Sequence, residues 1–320
     1  MTRQRQAPLK LEFDVVAAGL QFPEGPCVLG EDSLLVVELA RGTLTHVDLK
    51  SGECEVVAHL GGSPNGVAIG PDQAAYVCNN GGIEYRKVAG QHFPVGTSTD
   101  YKGGSIQRVV LDTGESAVLY EACEGDRLVG PNDIVFDAAG GFFFTDKGKT
   151  RRRDRDLGAL YYALPDGSSI LPAQVPVDDP NGIGLSPRGD YLYAADTSCG
   201  RLWRWPIRSR GTLDRVTTNS PLDRFSHGAE LVYANGRLRF FDSLAVEENG
   251  SIVIATIGSP GGLTVVDPMT NSAEFFELPD PFVTNICFGG DDRKTAYVTL
   301  GSTGRILRIA WPRPGLALNW

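Results

Sequence analysis

The stretch DPNGIGLSPRGDYLYAAD, residues 179–196, decides the fold because its pattern recurs along the whole chain. Its tripeptide Pro180-Asn181-Gly182 has close relatives at Pro64-Asn65-Gly66 and Pro131-Asn132-Asp133. After each copy come two or three apolar residues, a turn containing Gly or Asp, and an alternating apolar strand. Weaker relatives of the tripeptide are Pro23-Glu24-Gly25, Phe241-Asp242-Ser243 and Thr284-Asn285-Ile286.

The spacing of these copies predicts the architecture. Their polar residues stand at positions 24, 65, 132, 181, 242 and 285, so the gaps are 41, 67, 49, 61 and 43 residues. Repeats of this length, each with about four short strands, are typical of β-propellers. We therefore expect an all-β, six-bladed β-propeller with four antiparallel strands per blade. A residue repeated at one place in each blade converges on the central channel, so the repeat also predicts a site.

The last blade is one strand short, which indicates how the ring closes. NICFGG, TAYVTLG and RILRIAW, within residues 285–311, supply only three strands. FDVVAAGL, residues 13–20, precedes the first blade and has no partner there. We expect residues 12–18 to pair with the strand near 305–311, because closure removes exposed sheet edges. Residues 1–320 then form a single propeller domain, with residues 1–10 as a flexible N-terminal tail.

Composition narrows the classes of partner. The net charge of −9 argues against nucleic acid or an anionic membrane as the main partner. No stretch approaches the length of a transmembrane helix, and the N-terminus lacks the apolar core of a signal peptide. The six cysteines show no C-x-x-C spacing and are expected to be free thiols. These features predict a cytoplasmic protein, either a monomer or a small homo-oligomer.

Two connections are longer than a blade requires. Residues 80–104 contain Tyr85, His92, Phe93 and Tyr101. Long loops on a rigid ring are often binding elements, so this segment is predicted to be a lid or pocket wall. The alternative is an ordinary surface hairpin.

The second long connection, GKTRRRDRDL at residues 148–157, is strongly charged and is predicted to be a solvated loop. Its Gly148-Lys149-Thr150 does not form a phosphate-binding loop, because Phe143 stands where that motif requires its first glycine.

Four of the convergent residues, Glu24, Asn132, Asn181 and Asp242, have the chemistry of a metal site. Two carboxylates and two amide carbonyls are hard oxygen ligands, which favour Ca²⁺ or another hard divalent ion. Zn²⁺, Mn²⁺, Mg²⁺ and Fe²⁺ remain open as alternatives. Asn and Asp before glycine also simply make turns, but Glu24 is not a usual turn residue.

Four segments together resemble the gluconolactonase/senescence-marker-protein family, which includes the regucalcin-like proteins. The similarity runs from about residue 18 to the C-terminus. The resemblance implies one divalent metal at the hub of a six-bladed propeller, and hydrolysis of lactones. The segments are FPEGP (22–26), RLVGPNDIVFDAAGGFFFTD (127–146), DPNGIGLSPRGDYLYAADT (179–197) and TNICFGGDDRKTAYVT (284–299).

By this resemblance, Glu24, Asn181 and Asp242 correspond to metal ligands of the family. Asp242 also corresponds to the favoured base, and Asn132 to an asparagine beside metal and substrate. Arg127 matches the family's Arg-Leu-x-x-Pro-Asn and is expected to orient substrate oxygens, with a surface salt bridge as the alternative.

Three further residues complete the expected substrate site. Asn65 shares the register of the hub residues and is expected to hydrogen-bond to substrate or bound water. His92 and Tyr101 lie in the long connection and are expected to contact the substrate.

The chain contains neither G-x-S-x-G nor H-E-x-x-H, so a serine hydrolase and a zincin are not indicated. We predict a metal-dependent hydrolase acting on a small-molecule sugar, alkyl or aryl lactone, with Asp242 as base or nucleophile. One alternative is a metal-assisted phosphotriesterase, lyase or isomerase on the same hub. The other is a metal-binding propeller without catalytic activity.

Overall fold

The computed structural model describes residues 11–217 and 227–320, and within these ranges every regular element is a β-strand. Its strands form six four-stranded antiparallel blades, which confirms the predicted propeller. The flexible tail predicted for residues 1–10 lies outside the described residues.

The blades follow one another along the chain, and their strands run from the channel outward. Blade 1 contains β2 (Pro23–Gly30), β3 (Ser33–Glu38), β4 (Thr43–Asp48) and β5 (Cys54–His59). Blade 2 contains β6 (Pro64–Ile69), β7 (Ala75–Asn79), β10 (Ser105–Val109) and β11 (Ser116–Tyr120). Blade 3 contains β14 (Pro131–Phe136), β15 (Phe142–Asp146), β16 (Gly158–Ala163) and β17 (Ile170–Val177).

Blades 4 to 6 repeat this order. Blade 4 contains β18 (Pro180–Leu185), β19 (Tyr191–Asp196), β20 (Arg201–Ser209) and β22 (Glu230–Ala234), and the end of β20 also pairs with β21 (Thr212–Leu213). Blade 5 contains β23 (Phe240–Val246), β24 (Ile252–Ile257), β25 (Gly262–Asp267) and β26 (Ser272–Glu277). Blade 6 contains β27 (Val283–Gly289), β28 (Thr295–Leu300), β29 (Arg305–Ala310) and β1 (Phe13–Ala18).

Two small hairpins stand outside the blades. The first, β8 (Ile83–Val88) with β9 (Gln91–Thr97), is inserted between the second and third strands of blade 2. The second, β12 (Ala122–Cys123) with β13 (Asp126–Arg127), connects blade 2 to blade 3.

The hydrophobic core is divided into six clusters, and each cluster lies between two adjacent blades. The cluster between blades 3 and 4, for example, contains the fully buried Trp205 together with Phe143 and Leu160. Strand alternation explains this division, because successive side chains of a blade face opposite neighbours. Each blade therefore needs two partners, and only a closed ring satisfies all of them.

The N-terminal strand closes the ring as predicted. β1 pairs antiparallel with β29, with Phe13 opposite Ile309 and Ala18 opposite Arg305. Ala17 and Leu20 are buried in the cluster between blades 6 and 1. The first and last parts of the described chain are thus joined by both backbone hydrogen bonds and apolar contact.

The C-terminal segment covers one end of the channel, which the sequence did not indicate. The amide of Leu316 donates to Val246 O in blade 5 (2.8 Å). The side chains of Asn319 and Trp320 donate to Phe136 O (2.8 Å) and Asp137 O (3.1 Å), at the end of β14 in blade 3. A largely apolar cavity of about 130 Å³ lies between this segment and the inner strands.

All six cysteines are free, and Cys199 is exposed. None of the described segments forms a helix long and apolar enough to cross a membrane.

The closure makes a testable prediction. Removing residues 1–18 is expected to lower the melting temperature by about 10 °C or more, because β29 loses its outer partner β1 and the buried Ala17 is removed. The exposed edge should also promote association, which light scattering would detect. A control variant that lacks only residues 2–10 keeps β1, so it shows how much of the change in melting temperature comes from shortening the chain alone. An unchanged melting temperature after removal of residues 1–18 would contradict the role of β1.

Candidate metal and substrate site

Five repeat residues from five inner strands line one cavity of about 260 Å³ at one end of the channel. The sixth, Asn285 on β27, donates its side-chain amide to Glu24 Oε2 (2.7 Å). The repeat register therefore brings all six inner strands to the same site. The five lining residues are Glu24, Asn65, Asn132, Asn181 and Asp242, and all are buried.

A local irregularity places these side chains. In all six blades the pairing between the inner strand and its neighbour shifts register at the polar residue, for example between Pro180 and Ile183. Such β-bulges turn a side chain away from its normal alternation and are common beside active sites. The polar residue can therefore point into the channel while the following residues resume the apolar strand.

Glycine after the polar residue permits a close approach between neighbouring inner strands. A Cβ on Gly182 would lie 2.6 Å from the amide nitrogen of Leu244, and one on Gly66 would lie 2.6 Å from Asn132 O. Both separations are shorter than van der Waals contact with backbone atoms. The Gly in Pro-Asn-Gly therefore serves packing around the channel, as well as the turn.

The asparagines carry unsatisfied acceptors. The Oδ1 atoms of Asn65, Asn132 and Asn181 are buried and have no hydrogen-bond partner among residues 11–217 and 227–320. Asn181 Nδ2 is engaged, because it donates to Asp242 Oδ1 (2.5 Å) and Thr197 Oγ1 (3.0 Å). Buried acceptors without partners are rare and costly, so three of them in one cavity indicate a ligand.

Neither hub carboxylate, Glu24 or Asp242, forms an ion pair with any described residue. Burial, followed by repulsion from Asp242 and Asp133, raises the pKa of Glu24 well above its usual value. Burial is likewise the main reason that the pKa of Asp242 is raised, with Lys147 acting against it. A cation at this point would favour the charged form of both groups. With the unpaired amide oxygens, they form a hard oxygen donor set that fits Ca²⁺ or a similar divalent ion.

Asp133 is a third acidic group beside the hub, and it was not among the residues predicted for the site. Burial raises its pKa to about 7, and its Oδ1 accepts the amide of Ile134 (2.9 Å). It follows Asn132 in the repeat and occupies the position that glycine holds at 66 and 182.

Two lysines on one side of the cavity, Lys147 and Lys149, were also not predicted as site residues. Lys147 pairs with Asp179 Oδ1 (2.8 Å) and donates to Thr197 Oγ1, and all three residues line the cavity. Lys149 is 8% exposed and also lines the cavity, so the prediction of a solvated charged loop was wrong for this residue. Both lysines closely follow β15, the second strand of blade 3. Their position just after this strand was the sequence feature that could have indicated that they reach the cavity.

The β8–β9 hairpin forms one wall of the cavity. Ile83, Tyr85 and Pro94 line the cavity, and the Tyr85 ring lies 5.0 Å from that of Phe22. The amide of His92 donates to Ser302 O (3.0 Å), so the hairpin extends from blade 2 to blade 6. This placement matches the lid or pocket wall expected from the sequence.

Three residues expected at the substrate site are absent from the cavity lining. Tyr101 donates its hydroxyl to Val129 O (2.7 Å). His92 is half-buried, and burial is the main reason that its pKa is lowered. Arg127 is exposed and donates to Lys102 O (3.0 Å), with no ion pair in the part of the chain that the structure describes. Substrate contact by these residues stays a prediction.

A second acidic group lies outside the cavity lining, where blade 3 connects to blade 4 and where β19 ends. Ligand atoms of Asp178, Asp196 and Cys199 lie within 4.8 Å of one another, and Asp196 Oδ2 is buried without a hydrogen-bond partner in the described part of the chain. Arg155 already pairs with the Asp178 carboxylate, whereas neither Glu24 nor Asp242 forms an ion pair with a described residue.

Comparison with known proteins relates the chain to lactonases. The sequence profile described as the SMP-30/Gluconolactonase/LRE-like region matches residues 22–302. Lactonase drp35 of Staphylococcus saprophyticus is 29% identical over 248 residues, which are 77% of this chain and 66% of that protein. The gluconolactonase of Zymomonas mobilis is 24% identical over 324 residues, covering 93% of this chain and 80% of that protein. The match thus spans just under two thirds of the staphylococcal protein.

Solved structures support the same fold. A calcium-binding protein, regucalcin, from Agrobacterium tumefaciens superimposes with a TM-score of 0.70 at 18% identity, covering 98% of this chain and 100% of that one.

Because Glu24 and Asp242 are buried close together, replacing Asp242 is expected to stabilise the metal-free protein but to reduce the stabilisation that Ca²⁺ provides. In EDTA-treated protein, Asp242→Asn is expected to raise the melting temperature by about 2–6 °C, because a buried charge beside Glu24 disappears. The further rise produced by saturating Ca²⁺ should be smaller than in the wild type, because ion affinity is lost. Calorimetry with and without Ca²⁺ measures both effects. Asp112→Asn, at an exposed turn, is the charge-matched control. Destabilisation without Ca²⁺, together with an unchanged Ca²⁺ increment, would contradict this interpretation.

Proposed function

Because this chain belongs to the SMP-30/gluconolactonase/LRE-like family, we propose that it is a metal-dependent lactonase acting on a small-molecule lactone at the propeller hub. The observation that carries the proposal is the set of unpaired amide oxygens and crowded carboxylates in one cavity. A scaffold without a ligand would gain nothing from burying these groups unpaired.

The relatives support a lactone as substrate. Both related proteins named above are lactonases, of the drp35 and gluconolactonase types. We therefore assign lactones as the class of substrate. The cavity walls combine polar hub residues with Tyr85, Phe22 and Phe282, which is compatible with a ring-shaped substrate.

In this proposal Glu24, Asn181 and Asp242 hold the metal ion, with Asn132 in contact with it or directly beside it. Ca²⁺ is the favoured ion because the donors are hard oxygens, and because the structurally similar regucalcin is described as calcium-binding. A divalent ion held by these residues would supply Lewis-acid polarisation of the lactone carbonyl.

The protein's own groups supply the remaining chemistry. The Asp242 carboxylate accepts a proton from the attacking water, whose oxygen bonds to the carbonyl carbon. The ring C–O bond then breaks, and the proton passes to the leaving oxygen, which yields a hydroxy acid. Asn181 orients the carboxylate through its 2.5 Å hydrogen bond to Oδ1, and Lys147 favours the charged form. Asn65 and Asn132 offer amide groups to the oxygens of the substrate.

Asp242 is proposed as both base and metal ligand, and Glu24 as a metal ligand only. Substituting each residue separately tests this difference. At saturating Ca²⁺, Asp242→Asn is expected to lower kcat by about 10²–10⁴, because the base is lost. Glu24→Gln should weaken Ca²⁺ binding but recover kcat to within about tenfold at saturation, because Glu24 is only a ligand. Titrating activity against free Ca²⁺ gives both quantities. Equal recovery in the two variants would show that Asp242 is a ligand alone. Full activity in wild-type protein stripped of metal would overturn the metal-dependent mechanism.

The lid hairpin is expected to determine specificity. Tyr85→Ala removes a ring that lines the cavity and packs against Phe22, so the ratio of kcat/KM between an aryl and a sugar lactone should change about tenfold. Ca²⁺ affinity should change less than about twofold, because Tyr85 is not proposed as a ligand. Val95→Ala, an exposed position on the same hairpin, is the control. Equal shifts in both variants would remove the specificity role of Tyr85.

A further inference from the structure

Lys149 is a buried cation in the wall of the hub cavity. Its ammonium donates to Asn80 Oδ1 and to Gly82 O (3.2 Å), and it lies 4.7 Å from the centre of the Tyr101 ring. Each of these partners is electrically neutral. Burial lowers the pKa of Lys149 to about 8, so the ammonium is still the major form at neutral pH.

The local structure fixes Lys149 in this position. Its amide donates to Asp156 Oδ2 (3.1 Å), and its carbonyl accepts the amide of Asp156 (3.0 Å). Arg151 pairs with the same Asp156 carboxylate. A Cβ on Gly148 would lie 2.8 Å from Asp156 Cβ, so the backbone at Gly148 passes against Asp156. The charged loop therefore folds back on itself and holds the lysine toward the cavity.

Lys147 provides a contrast within the same loop. Its ammonium pairs with Asp179 Oδ1 at 2.8 Å, so its charge is balanced inside the protein. Lys149 has no ion pair with any described residue. The Asp146 carboxylate acts against the lowering of the Lys149 pKa without pairing with the lysine, and its two oxygens already accept the amides of Val129, Gly130 and Gly148. A buried cation without a counter-ion is costly, and an anionic ligand would remove that cost.

The place of Lys149 in the ring indicates which part of a ligand it would meet. Lys149 follows β15 of blade 3, and its partner Asn80 follows β7 of blade 2. The inner strands of the same two blades supply Asn65 and Asn132 to the cavity. Asp242 comes from blade 5, across the channel. A substrate whose carbonyl lies near Asp242 would therefore extend toward Lys149 with its far end.

We propose that Lys149 binds an anionic group of the substrate, so that the lactone hydrolysed at this hub carries a carboxylate or a phosphate away from its reacting carbonyl. This inference rests on the proposed lactonase function and specifies its substrate class. A charged amine bound to an oxyanion gives a charge-assisted hydrogen bond, which is stronger than one between neutral groups. A neutral lactone leaves the cation unbalanced.

The test begins with wild-type protein and a matched pair of substrates. D-glucaro-1,4-lactone and D-glucono-1,4-lactone differ only in a carboxylate that replaces a hydroxymethyl group. With Ca²⁺ present, kcat/KM is expected to be about 10- to 100-fold higher for the glucaro-lactone. A third substrate, 6-phospho-D-glucono-1,5-lactone, compared with D-glucono-1,5-lactone, distinguishes phosphate from carboxylate.

Two variants assign the preference to one side chain. Lys149→Met keeps the aliphatic stem and should remove the preference, mainly by raising KM for the anionic lactone. Lys149→Arg keeps the positive charge and should retain most of it. Lys87→Met, on the exposed face of the β8–β9 hairpin, removes the same charge outside the cavity lining and should leave the preference unchanged.

The outcomes separate this inference from the function on which it rests. Hydrolysis of neutral lactones at least as fast as both anionic ones would overturn the inference and leave the lactonase intact. A preference that survives in Lys149→Met would also overturn it. Absence of hydrolysis with any lactone would overturn the proposed function itself. If Lys149→Met fails to fold, the wild-type preference and the Lys149→Arg variant decide the question.

Discussion

The close packing of six inner strands around a narrow channel is the constraint on which the rest of this structure depends. Neighbouring strands approach so closely that a Cβ at Gly66 or Gly182 would collide with backbone atoms of the next blade. A bulge at the preceding residue then turns one polar side chain per blade into the channel. One local motif therefore produces both the inter-blade packing and the ring of polar groups.

That arrangement costs stability, which the apolar blade interfaces must offset. Unpaired amide oxygens and two carboxylates with raised pKa values are buried at the hub. Six apolar clusters between the blades, together with the pairing of β1 and β29, stabilise the ring that holds them. In the proposed function, a rigid ring of this kind would present preorganised oxygens to a cation, because the strands hold the unpaired amide oxygens of Asn65, Asn132 and Asn181 in one cavity.

Different segments cover the two ends of the channel. At one end the C-terminal segment crosses from blade 5 to blade 3 and covers a small apolar cavity. At the other end the β8–β9 hairpin and the loop containing Lys149 surround the polar hub. The fold is shared with many propellers, so differences in substrate should arise from these loops and not from the ring.

The sequence alone determined the number of blades, the closing strand and the register of the hub residues. Each of these follows from short-range signals: a repeated tripeptide, alternating apolar residues, and a strand count with one member missing. Only the tertiary structure decided which loop side chains reach the cavity. It places Lys147, Lys149 and Tyr85 there, and leaves Tyr101, His92 and Arg127 out of the lining. The physical reason is that a loop side chain is positioned by distant contacts, such as Lys149 with Asn80. Such contacts between distant residues do not produce a repeating pattern in the sequence.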